Sequence, residues 1–355
     1  MKVALITDTH WGIRNDSIIQ HNHMKKFLDD VFYPTLDAHG ITDVYHLGDL
    51  VDRRKYINFN TARRLREDFL DHLQGKQINM HIIAGNHDTY YKNTNDLNAL
   101  DEMLFGKYDN IQIYTDPFET VFPDGTPVLL LPWICDENRE RSIDTIKNTK
   151  AQVVLGHLEL AGFELYRGHK NDHGDDPSIF DRFNIVCSGH YHTRSSNGNI
   201  HYLGCPVQFT WTDYNDPKGF HILDTETLEI SFIPNNNNIF HKHFYDDLNR
   251  EMDDVLNFDV VTYKDCYVKI VVKNKTNPYW FDMVVDRIEK AGVADLQVVE
   301  DHLNLDLTQD DDIVDQAEGT LTILNNYING LTIQADKKRV ESIIQNLYSE
   351  AQSIQ

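Results

Sequence analysis

Short apolar runs alternate with stretches of helical periodicity over the first half of the chain. Helical spacing predicts helices over residues 18–36, with a stop near Gly40, and over residues 61–73. After Gly189 the pattern becomes that of short strands joined by turns. The predicted strands are residues 2–7, 44–47, 80–84, 128–131, 153–155, 185–187, 200–203, 220–223 and 228–233. This order predicts an α/β fold in which two packed sheets have helices outside them.

The pattern changes at a polar break over residues 235–238. Beyond it, a strand at 267–272, a helix at 281–290 and a strand at 296–299 predict a small β-α-β unit. Residues 306–318 are acidic and indicate a linker. The remaining tail returns to helical periodicity and predicts two short amphipathic helices. We expect these helices to dock on a partner protein, with packing onto their own chain as the alternative.

Composition is that of an ordinary folded protein. With 355 residues, 41% of them hydrophobic and 25% charged, the chain is long enough for a large catalytic domain plus smaller units. No apolar run approaches the roughly 18 residues that a membrane-spanning helix needs. The four cysteines form no Cys-x-x-Cys pair, which is typical of buried thiols in a reducing cytoplasm. We therefore expect a cytoplasmic location and no membrane segment.

The net charge of −23 argues against tight nucleic-acid binding by this chain alone, since phosphate binding usually requires a basic surface. Bound divalent metals would bring their own positive charge to a site, and a partner subunit could carry the binding surface. One basic run, Arg53-Arg54-Lys55, follows a candidate metal cluster directly. For Arg53 and Arg54, contact with a phosphate-bearing substrate and simple solvation stay open as alternatives.

Side chains that bind metals gather in five short clusters, most of them placed where a predicted strand gives way to glycine. The clusters are Asp8-Thr9-His10, Gly48-Asp49, Gly85-Asn86-His87-Asp88, Gly156-His157 and Gly189-His190-Tyr191-His192. Open α/β sheets bind ligands at the carboxyl ends of their strands, so these side chains should lie together. In any one cluster a surface or core histidine is the simpler interpretation. Five clusters in this order favour a site for two metals.

The chemistry of these side chains then suggests which of them bind each of the two metals. Asp8 and His10 can face one metal, to which His192 returns, and Asp49 can bridge to the second. The predicted ligands are Asp8, His10, Asp49, Asn86, His157, His190 and His192. Carboxylate, amide and imidazole ligands without thiolates favour Mn²⁺ or a related ion over a structural zinc. We predict two Mn²⁺, with Mg²⁺ as the alternative, and hydrolysis at phosphorus by an activated water.

His87 is expected to act on the substrate and not on a metal. A histidine beside a two-metal site can stabilise phosphoryl charge or donate a proton to the leaving oxygen. It needs an orienting group, and we predict the carboxylate of Asp52 for that role. The alternatives for Asp52 are a local turn acceptor or a partner for Arg53. Asp88 is left without a ligand role and is expected to brace its loop.

Taken in order, these clusters resemble those of the calcineurin-like metallophosphoesterase superfamily. More narrowly, Asp8-Thr9-His10-Trp11-Gly12 resembles the opening motif of the SbcD-type recombination nucleases. The segments Tyr202-Leu203-Gly204-Cys205-Pro206 and Asp216-Pro217-Lys218-Gly219-Phe220 look like the later signature of that family. The acidic linker and closing helices are similar in layout to the small subunits of T-even-like phage recombination endonucleases. The likeness covers essentially the whole chain.

This resemblance implies a four-layer α/β/β/α sandwich with a small β-α-β cap and a C-terminal helical pair. Its domains would be a nuclease domain at 1–238, a DNA-binding cap at 239–305, a linker at 306–319 and docking helices at 320–355. It also implies the ligand sharing given above, with Asp49 common to both metals. Two departures matter. Cys205 replaces the small hydroxyl residue usual at its position. Asp52 stands where some cellular relatives have histidine, so exonuclease-specific roles given to that histidine do not carry over.

The function implied is a Mn²⁺-dependent DNA nuclease, acting as an exonuclease on duplex ends and as an endonuclease on single strands. Its partners would be an SMC-like ATPase of the SbcC type and a second copy of the chain, and its cytoplasm that of a host cell if a phage encodes it. The first rival is a small-molecule phosphodiesterase or phosphatase on the same metal core. The second is a scaffold that mainly binds the ATPase, which the complete ligand set disfavours.

Overall fold

The computed structural model describes residues 1–166 and 168–300. Its strands form two six-stranded sheets, a three-stranded sheet and a two-stranded hairpin. In chain order they are β1 (Lys2–Ile6), β2 (Asp43–His46), β3 (Asn79–Ile83), β4 (Ile111–Tyr114), β5 (Phe118–Val121), β6 (Pro127–Leu131), β7 (Val153–His157), β8 (Glu164–Tyr166), β9 (His169–Lys170), β10 (Ile185–Gly189), β11 (Ser195–Asn197), β12 (Ile200–Tyr202), β13 (Lys218–Asp224), β14 (Ile230–Asn235), β15 (Phe240–Asp246), β16 (Tyr267–Asn274) and β17 (Asp295–Glu300).

Each large sheet has a parallel centre. The first has the order β14-β13-β1-β2-β3-β4, in which β1 to β4 run parallel and β13 joins β1 antiparallel. The second has the order β11-β12-β10-β7-β6-β5, with β12, β10, β7 and β6 parallel and the two edge strands antiparallel. Parallel neighbours end on the same side, so each sheet presents several carboxyl ends along one edge.

The helices cover the outer faces. They are α1 (Ile13–Asp16), α2 (Ile18–Phe27), α3 (Tyr33–His39), α4 (Phe59–Arg64), α5 (Asp71–Gly75), α6 (Ala99–Leu104), α7 (Arg139–Asn148), α8 (Met252–Leu256) and α9 (Pro278–Lys290). Single π-helical stretches at Leu28–Phe32 and Leu65–Leu70 join α2 to α3 and α4 to α5, so both predicted helices are continuous. The first ends at Gly40, whose φ of 61° closes the helix as predicted.

Alternation along β1 shows how the layers form. Successive side chains of a strand point to opposite faces. Ala4 and Ile6 pack under the helices with Phe27 and Phe69, whereas Val3 and Leu5 pack between the two sheets. A third core lies between the second sheet and α7. These cores confirm the predicted four-layer α/β/β/α sandwich.

Residues beyond the polar break form a separate three-stranded parallel sheet, β15-β16-β17, which we call the cap sheet. It contains the predicted β-α-β unit as β16, α9 and β17, and α9 buries Phe281, Val284 and Ile288 against it. The sequence pattern did not indicate β15. A small core that includes Trp211 and Phe240 packs the start of β15 against the main body.

The predicted division into domains at residues 238 and 305 stays a prediction. The linker at 306–319 and the helices at 320–355 lie outside the described residues. Within the described part of the chain, none of the helices has the length and apolar character needed to cross a membrane.

Candidate metal centre

Each of the seven predicted ligands lies at or just beyond the carboxyl end of a parallel strand. The first sheet contributes Asp8, His10, Asp49 and Asn86, and the second contributes His157, His190 and His192. All seven are buried, with exposed fractions of 7% or less. The fold therefore brings all five sequence clusters together at one edge of the sandwich, where ligand sites of open α/β sheets are found.

One group of donors is made by Asp8, His10 and His192. The Nε2 atoms of His10 and His192 lie 3.0 Å apart. The carboxylate oxygen Oδ1 of Asp8 lies 3.9 Å from the first of these nitrogens and 3.8 Å from the second. Oδ2 of Asp49 lies 3.7 Å from His10 Nε2. Two imidazoles and two carboxylates thus converge on one small volume.

A second group lies beside it and is made by Asn86, His157 and His190 together with Asp49. The Asn86 amide oxygen lies 3.0 Å from His157 Nε2 and 2.9 Å from His190 Nδ1. His157 Nε2 also lies 3.4 Å from Asp49 Oδ2. One oxygen of Asp49 therefore faces both groups, which is the arrangement that a bridging carboxylate requires.

Strained backbone holds several of these residues in place. Positive φ angles, rare for residues other than glycine, occur at Asp8 (50°), His10 (41°), Asp49 (55°) and His190 (85°). Each costs on the order of 1–3 kcal/mol, and such strain persists only where surrounding structure enforces it. Four of the seven predicted ligands are therefore in a conformation that the local sequence disfavours and that tertiary contacts must stabilise.

Two glycines allow the strand ends to approach closely. A Cβ at Gly85 would lie 2.2 Å from Asp49 Oδ1, and one at Gly189 would lie 2.0 Å from the hydroxyl of Thr7. Neither position has room for a side chain. The glycines at the strand ends are thus explained by packing of one cluster against the next.

Asp88 braces the site in the way expected of it. Its buried carboxylate accepts main-chain N–H groups from Asp49 (2.8 Å), Leu50 (2.9 Å), Val51 (3.2 Å) and Gly85 (2.9 Å). These donors belong to the loops after β2 and β3, so one side chain fixes the backbone of two ligand-bearing loops.

Other contacts orient the ligands themselves. The His157 Nδ1 atom lies 2.7 Å from the main-chain oxygen of Leu47. A carbonyl only accepts, so Nδ1 carries a proton and Nε2 is the nitrogen that faces the donor group. Asp8 is held by the Thr7 hydroxyl at 2.7 Å and by the main-chain N–H of His190 at 3.1 Å. These contacts fix the orientation of the His157 ring and of the Asp8 carboxylate.

Burial and mutual charge set the ionisation of this cluster. Burial lowers the pKa of His10 to about 3 and holds the pKa values of His190 and His192 well below the usual range. Burial alone would also lower the pKa of His157, but the adjacent Asp49 carboxylate outweighs it and raises that pKa to about 9. Burial opposes ionisation of Asp49, yet His157 and His87 keep its pKa well below the ordinary value.

This donor set fits divalent cations. Metals bind neutral imidazoles and ionised carboxylates, and the burial of His10, His190 and His192 keeps their rings neutral. Two ring nitrogens facing each other at 3.0 Å and an oxygen shared by two groups are both accounted for by cations between them. The ligands are oxygen and nitrogen atoms, and all four cysteines of the chain are free and buried. The set therefore fits divalent cations that accept nitrogen and oxygen ligands, and not a thiolate-bound structural zinc.

His87 lies next to the donors, as the sequence indicated. Its ring centre is 4.8 Å from that of His10, nearly perpendicular to it, and its main-chain N–H donates to Asp49 Oδ1 at 2.7 Å. The orienting atom differs from the expected one, because His87 Nδ1 lies 2.6 Å from the main-chain oxygen of Asp52. The Asp52 carboxylate has an oxygen 3.6 Å from His10 Nδ1. Asp52 thus reaches the two histidines with different atoms.

The predicted DNA-contacting arginine Arg53 has partners within the fold. Its guanidinium donates to Asp16 at 2.8 Å and to Asn15 at 3.0 Å. It also stacks on the ring of Tyr56, 5.0 Å from the ring centre. The neighbouring Arg54 is partly buried. These contacts give Arg53 a structural role, with Asp16 as its acidic partner in addition to any contact with substrate.

Two aromatic residues lie beside the donors, and only one of them, Trp133, had a sequence signal. The Trp133 ring centre lies 5.1 Å from that of His190 and 6.2 Å from that of His157. The Phe209 ring lies 5.6 Å from the rings of both His10 and His192. Trp133 follows β6 directly, which is the one signal that could have placed it at this edge. Phe209 is far from any cluster and had none.

Comparison with known proteins shows which family this chain resembles. Residues 1–194 match the family model described as calcineurin-like phosphoesterase, which covers more than half of the chain. Exonuclease subunit 1 of Enterobacteria phage T4 is 34% identical over 99% of this chain and 99% of its own length. The SbcD subunit of the nuclease SbcCD from Staphylococcus epidermidis is 24% identical over 66% of this chain and 69% of its own length.

A solved structure described as a novel archaeal phosphodiesterase matches 66% of this chain and 100% of that chain, with 14% identity and a TM-score of 0.33. That similarity is too weak to support any argument. The matches to the family model and to the phage relative establish the family of this chain. Their matched ranges include every predicted ligand. The chain belongs to the calcineurin-like phosphoesterase family.

Proposed function

We propose that this protein is a Mn²⁺-dependent DNA nuclease that hydrolyses phosphodiester bonds, as an exonuclease on duplex ends and an endonuclease on single strands. The observation that carries the proposal is Asp49 Oδ2, which faces both donor groups with His87 alongside. This is the arrangement that a two-metal phosphoesterase would need. The DNA substrate is supported by the exonuclease and nuclease names of the two relatives.

The ligand roles follow from the two donor groups. Asp8, His10 and His192 would hold one cation, Asn86, His157 and His190 the other, and Asp49 both. When bound, two divalent cations polarise the phosphoryl group and activate a water for in-line attack. The chain supplies the rest: imidazoles that burial keeps neutral at His10, His190 and His192, and strained loops that keep every donor aimed inward before substrate arrives.

His87 would supply a proton to the leaving oxygen or stabilise phosphoryl charge. Its Nδ1 is committed to the Asp52 carbonyl, so Nε2 is the atom free to face substrate. The Asp52 carboxylate, 3.6 Å from His10 Nδ1, would hold the His10 ring instead of acting on substrate directly. This assigns Asp52 two orienting functions, through its main chain to His87 and through its side chain to His10.

A rim of aromatic and basic residues next to His87 suits an unpaired strand. Tyr56 and Tyr91 are 65% and 52% exposed, and they lie on the loops that carry Asp52 and His87. The Lys55 ammonium lies 6.0 Å from the ring of Tyr90, which links the two loops. Exposed rings stack on bases of any sequence, and nearby cations attract phosphates. Arg53, held beside Tyr56, would add to this field.

Assembly with further subunits is part of the proposal. Both named relatives are nuclease subunits, and the net charge of −23 leaves this chain poorly equipped to hold duplex DNA alone. We propose an SMC-like ATPase of the SbcC type as the partner, docked on residues 320–355, and a homodimer of this chain. We also propose a cytoplasmic location, that of the host cell if a phage encodes the protein, which four free buried cysteines support.

The second candidate is a small-molecule phosphodiesterase or phosphatase, which the acidic charge favours. The deciding experiment offers purified protein and Mn²⁺ a labelled linear duplex, a circular single strand and bis(p-nitrophenyl) phosphate, each with and without the ATPase and ATP. We expect shortening of the duplex and nicking of the circle, both faster with the ATPase. Hydrolysis of the small diester without cleavage of either DNA, even with the partner, would overturn the nuclease assignment.

A further inference from the structure

A buried lysine lies behind the first donor group and belongs to none of the ligand clusters. Lys218 begins β13 and is 3% exposed. Its ammonium donates to the main-chain oxygen of His192 at 2.8 Å, to Asp213 Oδ1 at 2.7 Å and to Asp216 Oδ2 at 2.7 Å. Both aspartates are buried as well, with exposed fractions of 4% and 7%. The cation thus uses three acceptors, one of which belongs to a predicted ligand.

We infer that Lys218 is a positioning residue that sets the backbone, and hence the imidazole, of His192 for metal binding. The inference rests on the proposed ligand role of His192. A lysine is seldom buried this fully unless it is paired, because desolvating its charge is costly. A neutral side chain could fill the same space, so the buried cation indicates a need for strong donors to fixed oxygens.

The His192 carbonyl accepts hydrogen bonds from two other segments of the chain. The main-chain N–H of Cys205 donates to it at 3.1 Å, in addition to the Lys218 ammonium at 2.8 Å. Gly204, with φ of 70°, makes this approach possible, since a Cβ there would lie 2.9 Å from the same oxygen. The peptide after His192 is therefore clamped by residues from two distant segments. The segments 202–206 and 216–220, which marked the family in the sequence, meet at this oxygen.

A second route runs from Lys218 through Asp213 to the ring that packs on the donors. Asp213 Oδ2 accepts the main-chain N–H groups of Phe209 (2.8 Å) and Thr210 (3.0 Å). The Phe209 ring lies 5.6 Å from the rings of both His10 and His192. The Lys218–Asp213 pair thereby sets both the main chain of His192 and the aromatic surface against which its ring rests.

The same loop is tied to the cap sheet. Gln208 donates to the main-chain oxygen of Asp213 at 2.8 Å, and its amide oxygen accepts from Ile239 (3.0 Å) and Phe240 (3.2 Å) at the start of β15. Gln208 is 1% exposed. Lys218 therefore lies at the junction between the donor group and the cap sheet. Its loss should weaken binding of the metal held by His192 first.

The test compares Mn²⁺ binding to metal-free wild-type protein and variants by calorimetric titration. Lys218→Met removes the donor to His192 and changes the net charge of the lysine and two aspartates from −1 to −2. Lys218→Met/Asp213→Asn removes the same donor and restores the net charge to −1, so it decides the question if the single variant does not fold. Lys269→Met is the control, because Lys269 is another buried lysine (7% exposed) and lies in the cap sheet.

We expect wild type and Lys269→Met to bind two Mn²⁺ alike. Both Lys218 variants should bind one of the two ions about 10–100-fold more weakly, the usual loss when a group that orients a metal ligand is removed. DNA cleavage by these variants should recover at saturating Mn²⁺, which a general folding defect would not allow. Two wild-type-like sites in a folded Lys218 variant would overturn the positioning role. Failure of wild type itself to bind Mn²⁺ would instead refute the metal centre, and with it this inference.

Discussion

Removing the Asp88 carboxylate should destabilise the protein strongly, although Asp88 binds no metal in our proposal. Asp88→Ala would leave four main-chain N–H groups, those of Asp49, Leu50, Val51 and Gly85, without their acceptor. Asp88 is 0% exposed, so bulk water does not contact its carboxylate. A buried donor that loses its partner costs about 1–3 kcal/mol, which gives a gross range of about 4–12 kcal/mol for four.

Two effects reduce that range. Water entering the vacated space would satisfy some of the donors. Loss of Asp88 would also relieve its repulsion with Asp49. Burial first, and the Asp49 charge second, raise the pKa of Asp88 to about 7, whereas the main-chain N–H donors favour its ionised form. We therefore expect a loss of about 4–6 kcal/mol in the free energy of unfolding at pH 6.

The assay is urea unfolding of metal-free protein at pH 6, followed by fluorescence and circular dichroism. Asp37→Ala is the control, because Asp37 is an exposed residue whose ion pair with Lys76 lies on the surface; its removal should cost less than about 1 kcal/mol. Mn²⁺ affinity of any folded Asp88→Ala should also fall, since two ligand-bearing loops lose their brace. A loss below about 1 kcal/mol with unchanged Mn²⁺ binding would refute the reasoning.

Three further predictions address chemistry, substrate and partner. His87→Ser should keep both Mn²⁺ sites in a calorimetric titration but slow DNA cleavage about 10²–10⁴-fold, and unimpaired cleavage would remove His87 from the mechanism. Tyr91→Ala should weaken single-strand binding in an anisotropy titration by about 1–3 kcal/mol, whereas Tyr91→Phe, which keeps the ring, should bind normally; equal binding by all three proteins would exclude stacking there. Deleting residues 320–355 should abolish co-purification of the ATPase and leave basal nuclease activity, so a retained ATPase would contradict the docking role of the tail.

Most strands with a clear apolar pattern were predicted, although the short alternating β4 was missed together with strands that lack such a pattern. Buried parallel strands such as β1 and β7 are continuous apolar runs, because helices or the other sheet cover both faces. The edge strand β5 is largely exposed, with Phe118 48% and Val121 53% accessible, so its composition carries little signal. In β15 the apolar residues are interrupted by His241, Lys242 and His243, and the strand is recognisable only from its pairing with β16.

The metal-capable residues could be predicted because chemistry restricts them. Only a few side chains bind divalent cations, and their placement after strands brings them to one edge in any parallel sheet. The sequence therefore indicated the seven donors, the neighbouring His87 and the bracing role of Asp88. Their clustering in the structure matches that prediction, and the ligand roles themselves await the metal titrations.

By itself, then, the sequence determined the fold class, the class of reaction and the candidate metal ligands, since each depends on residue type and local spacing. Tertiary structure alone decided which atoms meet. His87 Nδ1 contacts the main-chain oxygen of Asp52, and the Lys218 ammonium donates to the main-chain oxygen of His192. Every residue has such an oxygen. The positive φ at Asp8 and Asp49 is likewise disfavoured locally and is enforced by contacts from distant segments. Such features leave no trace in residue type, because their energy comes from packing between parts of the chain far apart in sequence.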